Sequence, residues 1–253
     1  MVMMAARAND DQQGEVLCSP YTIMESVNSQ VNYNLYLCED IGHPSMYIDM
    51  IQLIQYASED TTITIHINCT GGRVDTGIAI INAMRASNAH IVTEIIGVAQ
   101  SMAALIFLSG HEFRVHSHTQ LMFHNYSGGN VGKGNEMRAS QQAIDTTFSS
   151  LSNDICRPFM SEEEVELMLD GKDYWFHYDD IVARLTEVQH KMQEEREEEA
   201  EVRMMVELNE RARSLIEDLE DDLETLDEVT EKNLIRSLKS TIKFYRDQLI
   251  DVE

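Results

Sequence analysis

The stretch that decides the fold is Ile63–Met84, "ITIHINCTGGRVDTGIAIINAM". It opens with a strand: "ITIHI" alternates apolar and polar side chains over Ile63–Ile67, the period of a pleated sheet. The Gly71-Gly72 pair then breaks the strand. The residues that follow carry Ile78, Ile81 and Arg85 at helical steps. Downstream, "HIVTEII" (His90–Ile96) repeats the strand signature and delivers the chain to Gly97. "GVAQSMAALIFLSG" (Gly97–Gly110) turns helical after Ser101, and "FRVHS" and "TQLMFH" are two more short strands. Strand and helix alternating in this way predict an α/β domain.

A longer helix is expected from about Asn135 to Cys156. Its Met137, Gln141, Ile144, Phe148, Leu151 and Ile155 recur at steps of three and four. That stripe suits packing on a second helix, from another subunit or from its own core. "SEEE" (Ser161–Glu164) is a capping box, and Gly171 closes the short helix it opens. The chain thus reads as three zones: an N-terminal arm over 1–27, partly ordered, a globular domain over 28–189, and an acidic helical extension over 190–253. From Lys191 onward there are 20 acids and 10 bases, with no proline or glycine. Leu215, Leu219, Leu226, Leu234, Leu238, Ile242 and Leu249 predict amphipathic helices there, paired as a hairpin or coiled coil.

Composition narrows the function. The 253 residues are 43% hydrophobic, enough for a real core, and carry a net charge of −25. Such a charge repels phosphate backbones and anionic lipid surfaces, so neither nucleic acid nor membrane is expected as a partner. No apolar run reaches the roughly 20 residues of a membrane span, and the first residues do not read as a secretory signal. The four cysteines, Cys18, Cys38, Cys69 and Cys156, are scattered without a metal-binding spacing. They read as reduced thiols in a cytoplasmic protein. No cofactor is expected, and the His116-x-His118 pair has no neighbouring cysteine or carboxylate in sequence to make it a metal site.

Ser101 is the residue with a nucleophile's chemistry. A serine between strand and helix is commonly a cap that satisfies the helix's first amides. Here the preceding residues are small, and a helix that begins at the serine aims N–H donors at it, which would stabilise an oxyanion. Position 103 is alanine, so this is not the G-x-S-x-G elbow. His124 ends the strand "TQLMFH" and is followed by "NYSGG", a setting where an extended chain could run beside it. Gly71-Gly72 is either a hairpin turn or a loop whose amides face a carbonyl. Acids are abundant, and spacing alone does not choose the one that would orient the imidazole.

Taken together, "ITIHINCTGGRVDTGIAIINAM", "GVAQSMAALIFLSG", "MFHNYSGG" (Met122–Gly129) and "NLYLCEDIG" resemble, in order, motifs of the Clp protease proteolytic-subunit family (ClpP). The likeness covers about residues 30–188. It implies a ClpP/crotonase-like α/β fold of repeated β-β-α units with a protruding handle helix, here Asn135–Cys156, followed by a C-terminal helical extension. It implies a serine endopeptidase in homo-oligomeric rings, hexameric or heptameric and stacked, acting on polypeptides. Ser101 matches the nucleophile and His124 the base. Gly72 and Met102 match the oxyanion amides, and Gly71, Arg73, Val74 and Ser127 border the substrate. The family's closing "G-L-x-D" reads Arg184-Leu185-Thr186-Glu187 here, which makes Glu187 the triad acid, with Asp180 and Asp179 as alternatives.

The chain departs from the family in three places. Cys69-Thr70 replaces the usual Ser-Pro, which predicts a looser glycine loop. The N-terminal arm does not match the family's axial loop, and the acidic tail has no counterpart, so an AAA+ unfoldase partner stays open. The divergence suits a peptidase encoded by a bacterial virus. Two rivals remain: an acyl-CoA hydratase or isomerase on the same fold, and an inactive scaffold that binds partners through its acidic tail.

Overall fold

The structure is a computed structural model that describes residues 21–27, 31–157, 159–224 and 232–248. Residues 1–20 of the expected arm, together with Leu226 and Leu249 of the expected tail stripe, lie outside the described residues. The arm's last residues form β1 (Tyr21–Val27), paired antiparallel with β2 (Val31–Leu37). A short 3₁₀ turn (Pro44–Tyr47) leads into α1 (Ile48–Tyr56). Then come β3 (Thr62–Cys69), α2 (Val74–Arg85), β4 (His90–Gln100) and α3 (Met102–Leu108). Two short strands follow, β5 (Glu112–Val115) and β6 (Gln120–Phe123). They precede α4 (Gly134–Cys156), α5 (Glu162–Leu169) and β7 (Tyr174–His177). The chain continues as α6 (Tyr178–Glu224) and α7 (Lys232–Gln248).

Side-chain alternation decides which face of the sheet is buried. The parallel register aligns Leu35 with Ile65 and Thr93, and Leu37 with Ile67 and Ile95. All six are fully buried. The next row, Tyr36, His66 and Glu94, points the other way. Tyr36 stacks on His66 at 4.5 Å, and Glu94 bonds His66 and His116 at 2.6 Å each. Each fully buried aliphatic side chain contributes roughly 1.5–3 kcal/mol, so a one-residue slip that exchanged these rows would be prohibitive.

The sheet order is β1-β2-β3-β4-β6-β7, with β5 also on β4. β4 serves two partners along its length: Val92–Ile95 pair with β5, and Val98–Gln100 pair with β6. Its C-terminal end, next to Ser101, is therefore locked between β3 and β6. Thr93, fully buried, ties α3 to the sheet by donating from Oγ1 to the Phe107 carbonyl at 2.8 Å.

The two halves of α4 differ. Phe148, Ser152, Ile155 and Cys156 are buried, whereas residues 138–147 are exposed, Ile144 among them at 40%. Only the C-terminal part of the predicted stripe packs on this chain's core. The capping box forms as read: Ser161 Oγ accepts from the Glu164 N–H at 3.2 Å, and Glu164 Oε2 accepts from the Ser161 N–H at 2.9 Å.

Gly171 is the last glycine or proline in the chain, so nothing interrupts the helix begun at Tyr178. The contact pattern nevertheless divides the chain after Gln189 into two compact units. Among the described residues no helix is long and apolar enough to cross a membrane.

Arg184 holds the end of the first unit together. Its guanidinium reaches both oxygens of Glu164 at 2.7 Å, donates to the Phe159 carbonyl at 3.0 Å and lies 4.6 Å from the centre of the Phe176 ring. The Arg184 hydrogen bonds hold the Glu164 carboxyl below its usual value of 4.5. A depressed carboxyl contributes stability above its unfolded value and loses it as pH falls. Glu164→Gln should therefore cost about 1–3 kcal/mol at neutral pH. The gap should close as pH drops below 4.5, measured by denaturant unfolding across pH.

Candidate active site

Ser101 sits at the junction of β4 and α3 in a conformation that L-residues avoid. Its φ is 54° and ψ −125°, and it is the only positive-φ non-glycine among the described residues. Its N–H donates to the Met122 carbonyl of β6 at 2.9 Å, and its carbonyl accepts from the Ala104 N–H at 2.9 Å. It occupies the cap position of α3, yet its side chain makes no capping bond. The hydroxyl instead reaches the Nε2 of His124 at 2.8 Å. If the hydroxyl donates, Nε2 is the bare nitrogen and the ring proton lies on Nδ1. The strain, worth about 1–3 kcal/mol, is what turns the hydroxyl away from the helix and toward the histidine.

The glycine loop is built to approach this serine. Gly71 has φ 106° and Gly72 φ 139°. A Cβ on Gly71 would fall 2.7 Å from the Ser101 Cβ, and one on Gly72 would fall 2.4 Å from the Ile41 carbonyl oxygen. A parallel bridge between Ile41 and Gly72 fixes the loop: the Ile41 N–H donates to the Gly71 carbonyl at 2.7 Å, and the Arg73 N–H donates to the Ile41 carbonyl at 2.8 Å. The bridge uses those groups and not the N–H of Gly72. Met102 supplies the first amide of α3, one of the donors that a helix start leaves without an intrahelical acceptor. Its side chain lies close against Gly77 of α2, where a Cβ would meet it at 2.2 Å.

Cys69 and Thr70, which stand where Ser-Pro is usual, both tie the loop to residues 39 and 40. The Cys69 thiol donates to the Glu39 carbonyl at 3.1 Å and accepts from the Gly71 N–H at 3.3 Å, while Thr70 Oγ1 donates to Asp40 at 2.5 Å. Burial pushes the Cys69 thiol up to about 11, so at neutral pH it stays protonated, a strut and not a nucleophile.

A cleft of about 240 Å³ opens over the serine, lined by Gly72, Val74, Ser101, Met102, His124 and Ser127 among others. These are the residues that the sequence grouped as nucleophile, base, oxyanion donors and substrate border. Gly71 lies beneath Ser101. Arg73 is exposed and paired with Asp75 at 2.6 Å.

The structure does not bring Glu187 or Asp180 to His124. Both are exposed on α6 and act on Arg184 electrostatically; neither forms a hydrogen bond with His124 among the described residues. The sheet register points elsewhere. β6 and β7 pair antiparallel, Met122 with Trp175 and Phe123 with Tyr174. Carried one residue further, this register sets Asp173 opposite His124. Asp173 is exposed and makes no hydrogen bond to His124 among the described residues; the sequence reading did not weigh it, because β7 has only four residues and no clear alternation. Reading "YWFH" as a strand partner of "QLMF" is the signal that would have brought it into consideration.

The Clp protease family model matches residues 21–183. Similar relatives include the ATP-dependent Clp protease proteolytic subunit 2 of Chlamydia trachomatis serovar D, 28% identical over 151 residues, 57% of this chain and 73% of the relative. The protein of the same description from Chlamydia muridarum is 33% identical over 119 residues, 46% of this chain and 59% of the relative. The ATP-dependent Clp protease proteolytic subunit of Pleurastrum terricola is 30% identical over 112 residues, 43% and 57% respectively.

Two substitutions separate strain from hydroxyl at position 101. Both Ser101→Gly and Ser101→Ala lose the bond to His124, but only glycine relieves the backbone. Ser101→Gly should be more stable than Ser101→Ala by about 1 kcal/mol, after the entropy that glycine adds to the unfolded chain. Urea unfolding of the two variants measures the difference.

Proposed function

The chain belongs to the Clp protease family, and on that premise we propose that it is a serine endopeptidase in which Ser101 attacks and His124 takes the proton. The observation that carries this reading is the 2.8 Å contact between Ser101 Oγ and His124 Nε2, made by a serine that caps nothing. As Oγ adds to a peptide carbonyl, its proton passes to Nε2. The carbonyl oxygen gains charge in front of the Gly72 and Met102 amides, each such donor being worth roughly 3–4 kcal/mol in the barrier. His124 then returns the proton to the leaving amine. A water molecule, deprotonated by the same imidazole, releases the acyl group from Ser101.

Asp173 is the carboxylate we favour as the partner of His124 Nδ1, because the β6–β7 register supports it. Glu187 and Asp180, favoured by the resemblance alone, lie beside Arg184. The orienting acid fixes the imidazole tautomer and stabilises the imidazolium. The reading includes homo-oligomeric rings, polypeptide substrates and action in the cytoplasm. The exposed half of α4 is the surface this chain offers for joining rings. The acyl-CoA rival needs a carboxylate at the oxyanion site, and none is among the residues lining the cleft.

Hydrolysis of fluorogenic peptides tests the assignment. Ser101→Ala should abolish turnover while the protein stays folded. Asp173→Asn should lower kcat by about 10²–10⁴-fold, and Glu187→Gln by less than about threefold. Turnover by Ser101→Ala at the parent rate would refute the mechanism. The reverse ranking of the two acid variants would return the role to Glu187.

A further inference from the structure

One wall of the cleft takes no part in the proton transfers. Tyr126 stands two residues beyond His124 and lines the cleft beside Ser101. Its phenol is gripped from α4: the hydroxyl donates to the Asp145 carboxylate and accepts from the Gln141 side-chain amide. Gln141 also donates to Asp145 at 3.0 Å, one helical turn away, so the two form a single clamp. The ring meets Phe148, another cleft residue, edge-on at 5.3 Å and 68°.

The backbone is tethered as well. Asn125 donates from Nδ2 to the Leu169 carbonyl at 2.6 Å and accepts the Tyr126 N–H on Oδ1 at 2.8 Å. The hydrogen bond to Asp145 holds the phenol above the usual tyrosine range, so it keeps the proton it donates.

A partly exposed tyrosine gains little from being ordered, because fixing a side chain costs entropy and a solvated hydrogen bond returns about as much. Here three side chains fix one ring at the edge of the nucleophile's cleft. The cleft's 240 Å³ is below the roughly 300–1,000 Å³ of pockets that take whole small molecules. It has room for one substrate side chain. With Met102 and Phe148, Tyr126 bounds that room.

We infer that Tyr126 sets the size of the substrate side chain admitted beside the cleaved bond, and that Gln141 and Asp145 are positioning residues that hold it there. The inference rests on the peptidase reading of Ser101. Removing the ring opens the cleft toward α4. Removing the clamp frees the ring without removing its bulk. Asp145→Asn keeps an oxygen that accepts the phenolic proton.

The test uses peptidyl diphenyl phosphonates whose side chain beside phosphorus is that of alanine, leucine or tryptophan, scored by the rate of labelling at Ser101. Tyr126→Ala should raise the tryptophan-to-alanine rate ratio about tenfold or more. Asp145→Ala should move the ratio in the same direction by a few-fold, and Asp145→Asn should restore it. Asp145 is exposed on the single chain and lies on the half of α4 assigned to joining rings, so its variants are compared at the parent's assembly state, checked by sizing, and they give a result even where Tyr126→Ala does not fold. A merely structural role would slow all three probes alike and leave the ratio fixed. An unchanged ratio, with Ser101 still labelled, overturns this inference and leaves the peptidase reading standing. Absence of labelling in the parent protein overturns both.

Discussion

The site depends on one strained residue. Ser101 is held at φ 54° because its N–H is taken by β6 and its carbonyl by the first turn of α3. Neither bond can relax without parting a strand or a helix from the sheet. β4 makes this possible by pairing with β3 along its length and with β6 at its end. The strain at Ser101 is sustained by the sheet, and its side chain contacts His124 where a cap bond would otherwise form. The same junction sets the first amide of α3 next in chain to Ser101, so the proposed attacking group and oxyanion donor share one turn of chain.

The second half of the site arrives from sequence far away. The Ile41–Gly72 bridge brings the glycine loop to Ser101, and Cys69 and Thr70 tie it to residues 39 and 40. The two departures from the family's sequence pattern, Cys69 and Thr70, are both bonded within this loop. The buried Cys69 thiol bonds the Glu39 carbonyl, and Thr70 bonds Asp40.

Much of this was legible in the sequence. Ile63–Met84 gave strand, loop and helix, and the small residues before Ser101 pointed to close approach. Whether Ser101 was a cap or a nucleophile was not legible, because both sit at a strand-to-helix turn; the backbone angle and the bond to His124 are what support the proposed nucleophile. The acid was read on a different basis. Glu187 was chosen by analogy with a motif at the end of the domain, whereas a carboxylate's nearness to His124 follows from sheet register, which spacing does not carry. β1 was absorbed into the expected arm because its strand has a mixed polar pattern. The boundary placed at 189/190 lies inside α6, at the point where the contact pattern divides the chain. The tail's charge was legible, and α6 and α7 are its helices.

The central claim is that Ser101 is an activated nucleophile. Incubation with a fluorophosphonate, followed by mass mapping of the modified residue, tests it most directly, with His124→Ala as the control. The account predicts a single adduct at Ser101 in the parent protein and its loss in the control. A folded, assembled sample that takes no label, or one labelled equally with and without His124, would contradict it.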